Sequence, residues 1–230
     1  MKDKTLHFFL HTVSNTLSPT PTFLRFKSLF IIIFRYVKTT THTQISKERA
    51  TTVPIFQTST FDSPDGDYDY TRSGNPTRDA LQELCRRVEG NSAVSSFAFT
   101  SGMSALSASL RLLKPGDQIL ASKDLYGGMY RLLIHAAEHS GLEIRFVETW
   151  DLKRFQKALD SSSKIRMVFL ETPTNPMMHV SDIKSLAELT HARGALLAVD
   201  NTIMSPVLSK PLDLGADLCI HSATKFLSGT

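Results

Sequence analysis

Arg166-Met-Val-Phe-Leu-Glu171, Ser181-Asp-Ile-Lys-Ser-Leu-Ala-Glu-Leu-Thr-His-Ala-Arg193 and Ala195-Leu-Leu-Ala-Val-Asp200 are the segments on which the fold turns. The first and last are short and mostly apolar, and each ends in an acid. The middle one reads as a helix, with Ser181 and Asp182 as capping candidates and Gly194 as its stop. Strand, helix and strand in that order imply a parallel pair joined by a crossover.

The same alternation extends toward both ends. Asn75-Pro-Thr77 opens a predicted helix in which Leu81, Leu84, Cys85 and Val88 form a stripe at helical spacing, and Gly90 stops it. Ala93–Phe99 is a predicted strand, Ser104–Leu113 a helix, Gln118–Ser122 a strand, and a helix follows Tyr126-Gly-Gly128 as far as Gly141. Ile144–Glu148 and Asp217–Ser222 add strands, and Leu152–Leu159 another helix. Short apolar strands alternating with helices predict an α/β domain whose mostly parallel sheet is covered on both faces. In such sheets ligands bind beyond the carboxyl ends of the strands.

Composition removes several function classes. Lys plus Arg total 26 against 22 Asp plus Glu, and the excess is concentrated in residues 1–45, where six basic residues face the single acid Asp3. The remainder is near neutral, with no basic stripe for nucleic acid. Cys85 and Cys219 form no CxxC pair and the eight histidines show no ligand-like spacing, so neither a disulfide scaffold nor a metal site is expected. The longest apolar run, Leu29-Phe-Ile-Ile-Ile-Phe34, falls far short of the roughly 18 residues a membrane helix needs. Residues 1–45 have the basic, Ser/Thr-rich, acid-poor composition of an organellar transit peptide; a disordered leader is the alternative. The first reading implies a plastid, the second the cytoplasm.

Four places carry chemistry. His221-Ser-Ala-Thr-Lys225 closes a strand with two hydroxyls and an amine. In extended chain Ser222 and Thr224 point to one side and Lys225 to the other, an arrangement suited to an anionic ligand that also carries an aldehyde. Asp200 ends an apolar strand, where a buried carboxylate needs a cation such as a pyridinium nitrogen. Ser101-Gly-Met103 lies between a strand and a helix start, where free N–H groups favour phosphate. Tyr126, before a Gly-Gly pair, is placed to stack on a planar ring. Neither GxGxxG nor GxxxxGKS occurs, which disfavours dinucleotides and nucleoside triphosphates.

In this order the elements resemble fold-type I pyridoxal-phosphate enzymes, and within them the Cys/Met-metabolism, or trans-sulfuration, family. The resemblance runs from about Val53 to Gly229. It rests on Tyr68-Asp-Tyr-Thr-Arg-Ser-Gly-Asn-Pro-Thr77, Thr100-Ser-Gly-Met103, Asp124-Leu-Tyr-Gly-Gly128, Glu171-Thr-Pro-Thr-Asn-Pro176, Val199-Asp-Asn201 and His221-Ser-Ala-Thr-Lys-Phe226. With Ile203-Met-Ser-Pro-Val207, the pattern is most similar to the plant-like cystathionine β-lyases within that family; γ-synthases, γ-lyases and methionine-type lyases share every cofactor residue.

The resemblance implies roles by position. Lys225 would bind pyridoxal 5'-phosphate covalently and act on the substrate Cα proton, Asp200 would pair with the ring nitrogen, and Tyr126 would stack on the ring. Ser101, the Gly102 and Met103 amides, Ser222 and Thr224 would form the phosphate site, and Asn175 would lie near the ring's 3-oxygen. Tyr70 and Arg72, on an arm formed by residues 46–75, would reach the phosphate of a neighbouring subunit, making a homodimer the minimum unit and a tetramer the family's usual form. The substrate would be cystathionine or a related sulfur amino acid, cleaved to homocysteine, pyruvate and ammonia, as in methionine biosynthesis. Residues 76–230 would be part of the cofactor domain. Family members continue past the point matching Thr230 into a C-terminal domain with a carboxylate-binding arginine, so residues 1–230 alone are expected to be inactive.

Overall fold

The computed structural model describes residues 52–62, 66–90 and 92–228, together with the backbone of residues 29–33. In chain order the elements are β1 (Leu29–Ile33), α1 (Pro76–Glu89), β2 (Ser95–Ala98), α2 (Gly102–Leu110), β3 (Gln118–Ser122), α3 (Gly127–Ser140) and β4 (Glu143–Val147). They continue with α4 (Leu152–Asp160), β5 (Ile165–Glu171), α5 (Ile183–Ala192), β6 (Leu196–Asp200), α6 (Ser205–Leu208) and β7 (Leu218–Ser222), and a 3-10 turn spans Phe226–Ser228. The strands form one sheet in the order β2-β1-β7-β6-β5-β3-β4. Every strand pairing in it is parallel.

The helices begin where side chains can satisfy their first amides. Asn75 Oδ1 accepts from the Thr77 N–H at 2.9 Å, and Pro76, which has no N–H to leave unpaired, takes the first position of α1. Asp151 Oδ1 accepts from the Lys153 and Arg154 amides at the start of α4, and Asp182 Oδ1 from Ser185 at the start of α5. The last helix of the α2–α3 side, α3, stops at Gly141, whose φ of 67° lies in the left-handed region.

Both sheet faces are buried, and strand alternation sorts the residues between them. Cys85 of α1, Phe155 and Leu159 of α4 and Leu186 of α5 pack against Val168, Leu170, Leu197, Val199 and Cys219. On the opposite face Leu106 and Leu110 of α2 and Met129 and Leu133 of α3 pack against Met167, Phe169, Ala198 and Ile220. Continuing the alternation of β5 and β6 by one step places Glu171 with Phe169 and Asp200 with Ala198, on the α2–α3 face.

The strand β1 lies within the stretch read from sequence as a leader. Its backbone sits inside the sheet, with Ile31 in register with Phe97 on one side and Ile220 on the other. A run of three consecutive isoleucines has high strand propensity, and without a strand there both β2 and β7 would present unpaired edges. The rest of residues 1–45 lies outside the described residues. The short helix α6 was also not anticipated; Pro206 helps start it.

Candidate active site

Of the predicted site residues, Asp200, Ser222, Ser101, Gly102, Met103 and Tyr126 lie where β6 and β7 end and where α2 and α3 begin, while Tyr70 and Arg72 lie on the arm. Asp200 and Glu171 are register partners at the ends of β6 and β5. Both are buried, 8% and 4% exposed. Asp200 Oδ1 accepts from the Thr202 hydroxyl at 2.5 Å and the Thr202 amide at 3.0 Å. The same hydroxyl accepts from the Ser222 N–H at 2.8 Å, so Thr202 ties the end of β6 to the end of β7. Burial pushes the Asp200 carboxyl above its ordinary range, while the Thr202 bonds and nearby His221 pull it back. Burial, and then the charge of Asp200, raise Glu171 to about 8. Two adjacent buried carboxyls resist being ionised together, and a cation at their tips would relieve that cost.

The β2–α2 junction supplies the opposite preference. Ser101 is the N-cap of α2, its Oγ accepting from the Ser104 N–H at 3.1 Å. The amides of the first helical turn, Gly102 and Met103 among them, point outward at the positive end of the helix dipole. Gly102 lies so close to β7 that a Cβ there would stand 3.1 Å from Ser222 Cβ and 3.3 Å from Ser222 Oγ. A side chain there would have to push Ser222 back by a few tenths of an ångström, so glycine eases the approach of the helix start to the Ser222 hydroxyl.

Tyr126 completes a flat wall. It is 44% exposed, yet its ring is tightly backed: a Cβ on Gly128 would sit 2.8 Å from Tyr126 Cζ and 3.0 Å from Met103 Sδ. The glycine is therefore what lets the ring lie against the start of α3. The Tyr126 N–H donates to Glu171 Oε2 at 2.6 Å.

Lys225 follows β7 directly, but not in extended chain. Its N–H donates to Ser222 O at 3.2 Å, and Ala223–Lys225 form a turn running into the 3-10 segment. The strand-alternation argument for opposite sides thus does not hold beyond Ser222: the strand ends there, and a turn projects Thr224 and Lys225, both exposed. Asn175 is also exposed, on the loop after β5. Asp124 Oδ2 tethers that loop by accepting from Thr174 Oγ1 at 2.5 Å and the Met177 amide at 3.1 Å. Tyr70 and Arg72 stand together on the arm, the Arg72 guanidinium 4.8 Å from the centre of the Tyr70 ring. Tyr70 also bridges to Thr60.

Sequence reading passed over several residues the structure makes prominent. Thr202 and Glu171 required strand register to be noticed, although Glu171 ends an apolar strand just as Asp200 does. Gly128 was visible only as half of a Gly-Gly pair. On the other sheet face, Glu89 and His221 form a buried pair at 2.8 Å, with Cys219 Sγ 3.3 Å from His221 Nε2. These three residues bring metal-ligating atoms within 4.8 Å of one another, a grouping that spacing did not suggest.

A donor-rich cradle, a backed aromatic wall, a buried carboxyl pair and an exposed amine fit one kind of guest. That guest is a flat aromatic ring with a basic nitrogen, a phosphate arm and a carbonyl group, which is the chemistry of pyridoxal phosphate. Among the described residues no helix is long and apolar enough to cross a membrane.

Comparison with known proteins agrees. The chain is 50% identical over 184 residues to the chloroplastic cystathionine β-lyase of Arabidopsis thaliana, covering 78% of this chain and 39% of that protein. It is 44% identical over 185 residues to the chloroplastic mimosinase of Mimosa pudica, covering 78% and 41% respectively. The crystal structure of cystathionine γ-lyase from Lactobacillus plantarum complexed with L-serine superposes with a TM-score of 0.73 at 40% identity, over 77% of this chain and 46% of that one. The chain thus spans less than half the length of these proteins. The family model described as Cys/Met metabolism PLP-dependent enzyme matches residues 36–230, and the fold is that of fold-type I pyridoxal-phosphate enzymes. With most of its length matched and the site built as above, the chain belongs to the Cys/Met metabolism family of pyridoxal-phosphate-dependent enzymes.

Proposed function

We propose that the protein is a carbon–sulfur lyase that cleaves cystathionine at its β position, releasing homocysteine, pyruvate and ammonia. The observation that carries this reading is the 50% identity to a plant cystathionine β-lyase over 184 residues. Bound pyridoxal phosphate supplies an electron sink for the pair released when the substrate Cα–H bond breaks. Asp200, kept dry at the end of β6 and held by Thr202, pairs with the ring nitrogen and keeps it protonated. Tyr126 presents the exposed face of its ring for stacking. The Gly102 and Met103 amides, with the Ser101, Ser222 and Thr224 hydroxyls, hold the phosphate, and Asn175 lies near the 3-oxygen.

Lys225 Nζ has two duties: it anchors the cofactor, and afterwards it takes the proton from the substrate Cα. Its position on a turn, outside the strand, suits a group that must move between these tasks. Tyr70 and Arg72 reach the phosphate of a neighbouring subunit, which makes a homodimer the smallest competent unit.

A γ-lyase reading has its own support in the fold match to the Lactobacillus plantarum enzyme. Product analysis separates the two. In a chain spanning the full length of its relatives, incubation with cystathionine is expected to yield homocysteine and pyruvate; cysteine and 2-oxobutyrate would establish the γ reading instead. Borohydride reduction followed by peptide mapping is expected to place the pyridoxyl label on Lys225. A label on any other lysine would overturn the assignment.

A further inference from the structure

We propose that Glu171 is a positioning residue that fixes the Tyr126 ring plane against the cofactor, acting through the Tyr126 backbone amide. The inference rests on the stacking role given to Tyr126 above and adds the device that holds it.

The geometry begins at α3. Its N-cap is Tyr126, which makes no side-chain capping bond of its own. Helices need an acceptor for the amides of their first turn. Here one comes from 45 residues further along the chain: Glu171 Oε2 accepts from the Tyr126 N–H at 2.6 Å. The placement is also favourable to a carboxyl group, since it meets the positive end of a helix. Glu171 itself is immobilised, as the last residue of β5, 4% exposed and in register with Asp200.

The ring is constrained from the other direction. The backbone at Gly128 lies against the ring so closely that a Cβ there would stand 2.8 Å from Tyr126 Cζ. With the backbone pinned by Glu171 and the back of the ring in contact, few rotamers remain, and the open face is held in one plane. An aromatic that is already immobilised loses little freedom on stacking, which is how preorganisation improves affinity.

Glu171 and Asp200 divide their tasks by charge. Burial and the neighbouring charges of Asp200 and Asp124 raise Glu171 to about 8, so near neutrality it carries a proton and still accepts through Oε2. Asp200, held by the Thr202 hydroxyl and amide, is left to face the ring nitrogen.

The test compares Glu171→Gln, which keeps an acceptor oxygen at the same reach, with Glu171→Leu, which removes it. Each full chain is titrated with pyridoxal phosphate, and the visible circular dichroism of the bound cofactor reports ring orientation. The Tyr126 amide proton shift in the cofactor-free protein gives a second readout. Glu171→Leu is expected to weaken cofactor affinity about tenfold, lower the dichroic amplitude and move the amide signal upfield. Glu171→Gln is expected to stay within about twofold of the parent in affinity. If Glu171→Leu matches the parent in affinity and dichroism, or if Glu171→Gln fails as badly as Leu, the positioning role is overturned. Should Glu171→Leu not fold, Glu171→Asp replaces it: the shortened arm is expected to lose affinity, and parent-like behaviour overturns the proposal. Failure of the parent to bind the cofactor at Lys225 would instead refute the stacking role on which the inference rests.

Discussion

Replacing Thr202 by valine tests how the ends of β6 and β7 are joined. The hydroxyl makes two bonds that valine cannot: it donates to Asp200 Oδ1 at 2.5 Å and accepts from the Ser222 amide at 2.8 Å. A bond to a charged or partly charged carboxyl contributes about 1.5–3 kcal/mol, and an amide left without an acceptor costs about 1–3 kcal/mol. Ser222 is only partly buried, so water recovers some of the second amount. Asp200 also keeps the Thr202 amide at 3.0 Å. The net expectation is a loss of about 2–4 kcal/mol. The side-chain volume barely changes, so cavity formation adds little. Urea unfolding followed by circular dichroism measures this directly, as a lower midpoint at unchanged slope. Thr202→Ser, which keeps the hydroxyl, is expected to recover most of the stability. A loss in Thr202→Val below about 0.5 kcal/mol, the scale of an ordinary surface change, would refute the claim that this hydroxyl bridges the two strands.

Other predictions follow from separate parts of the molecule. Phe155 is fully buried between α4 and the sheet, and Phe155→Ala is expected to destabilise by about 3–5 kcal/mol in the same unfolding assay. The Glu171 carboxyl is raised from its ordinary 4.5 to about 8, so the folded state binds more protons than the unfolded one between these values. Its contribution is therefore fully present below the lower value and lost as pH rises toward 8; Glu171→Gln should gain stability relative to the parent across that window, and a pH-independent difference would count against it. For the shared site, mixing an Arg72→Ala protomer with a Lys225→Ala protomer is expected to restore part of the activity through one intact hybrid site, and no recovery in verified heterodimers would argue against it.

Much of this protein is legible in its sequence because the relevant signals are local. Asn75 before Pro76, Asp182 before its helix, and glycines after α1, α3 and α5 are capping and breaking chemistry that acts within one turn, and each marks an observed boundary closely. Alternation of short apolar strands with helices likewise states that both sheet faces are covered, and the two buried clusters bear that out. Asp200 and the Ser101-Gly-Met103 junction could be singled out because strand ends and helix starts are recognisable places.

What tertiary structure decided are the relations between places. No local rule pairs Glu171 with the Tyr126 amide, joins Thr202 to Ser222, or brings Glu89 beside His221 across 132 residues. Strand order is of the same kind: an apolar run at Leu29–Ile33 looks the same in a leader as in a sheet, and only the free edges of β2 and β7 distinguish them. The turn at Ala223–Lys225 ended the alternation used to orient Lys225, because a strand continues only while a neighbour supplies its hydrogen bonds, and β6 has already ended at Asp200. Backbone periodicity is written residue by residue, whereas register and contact depend on which segments pack together, and that is settled by burial of the whole sheet.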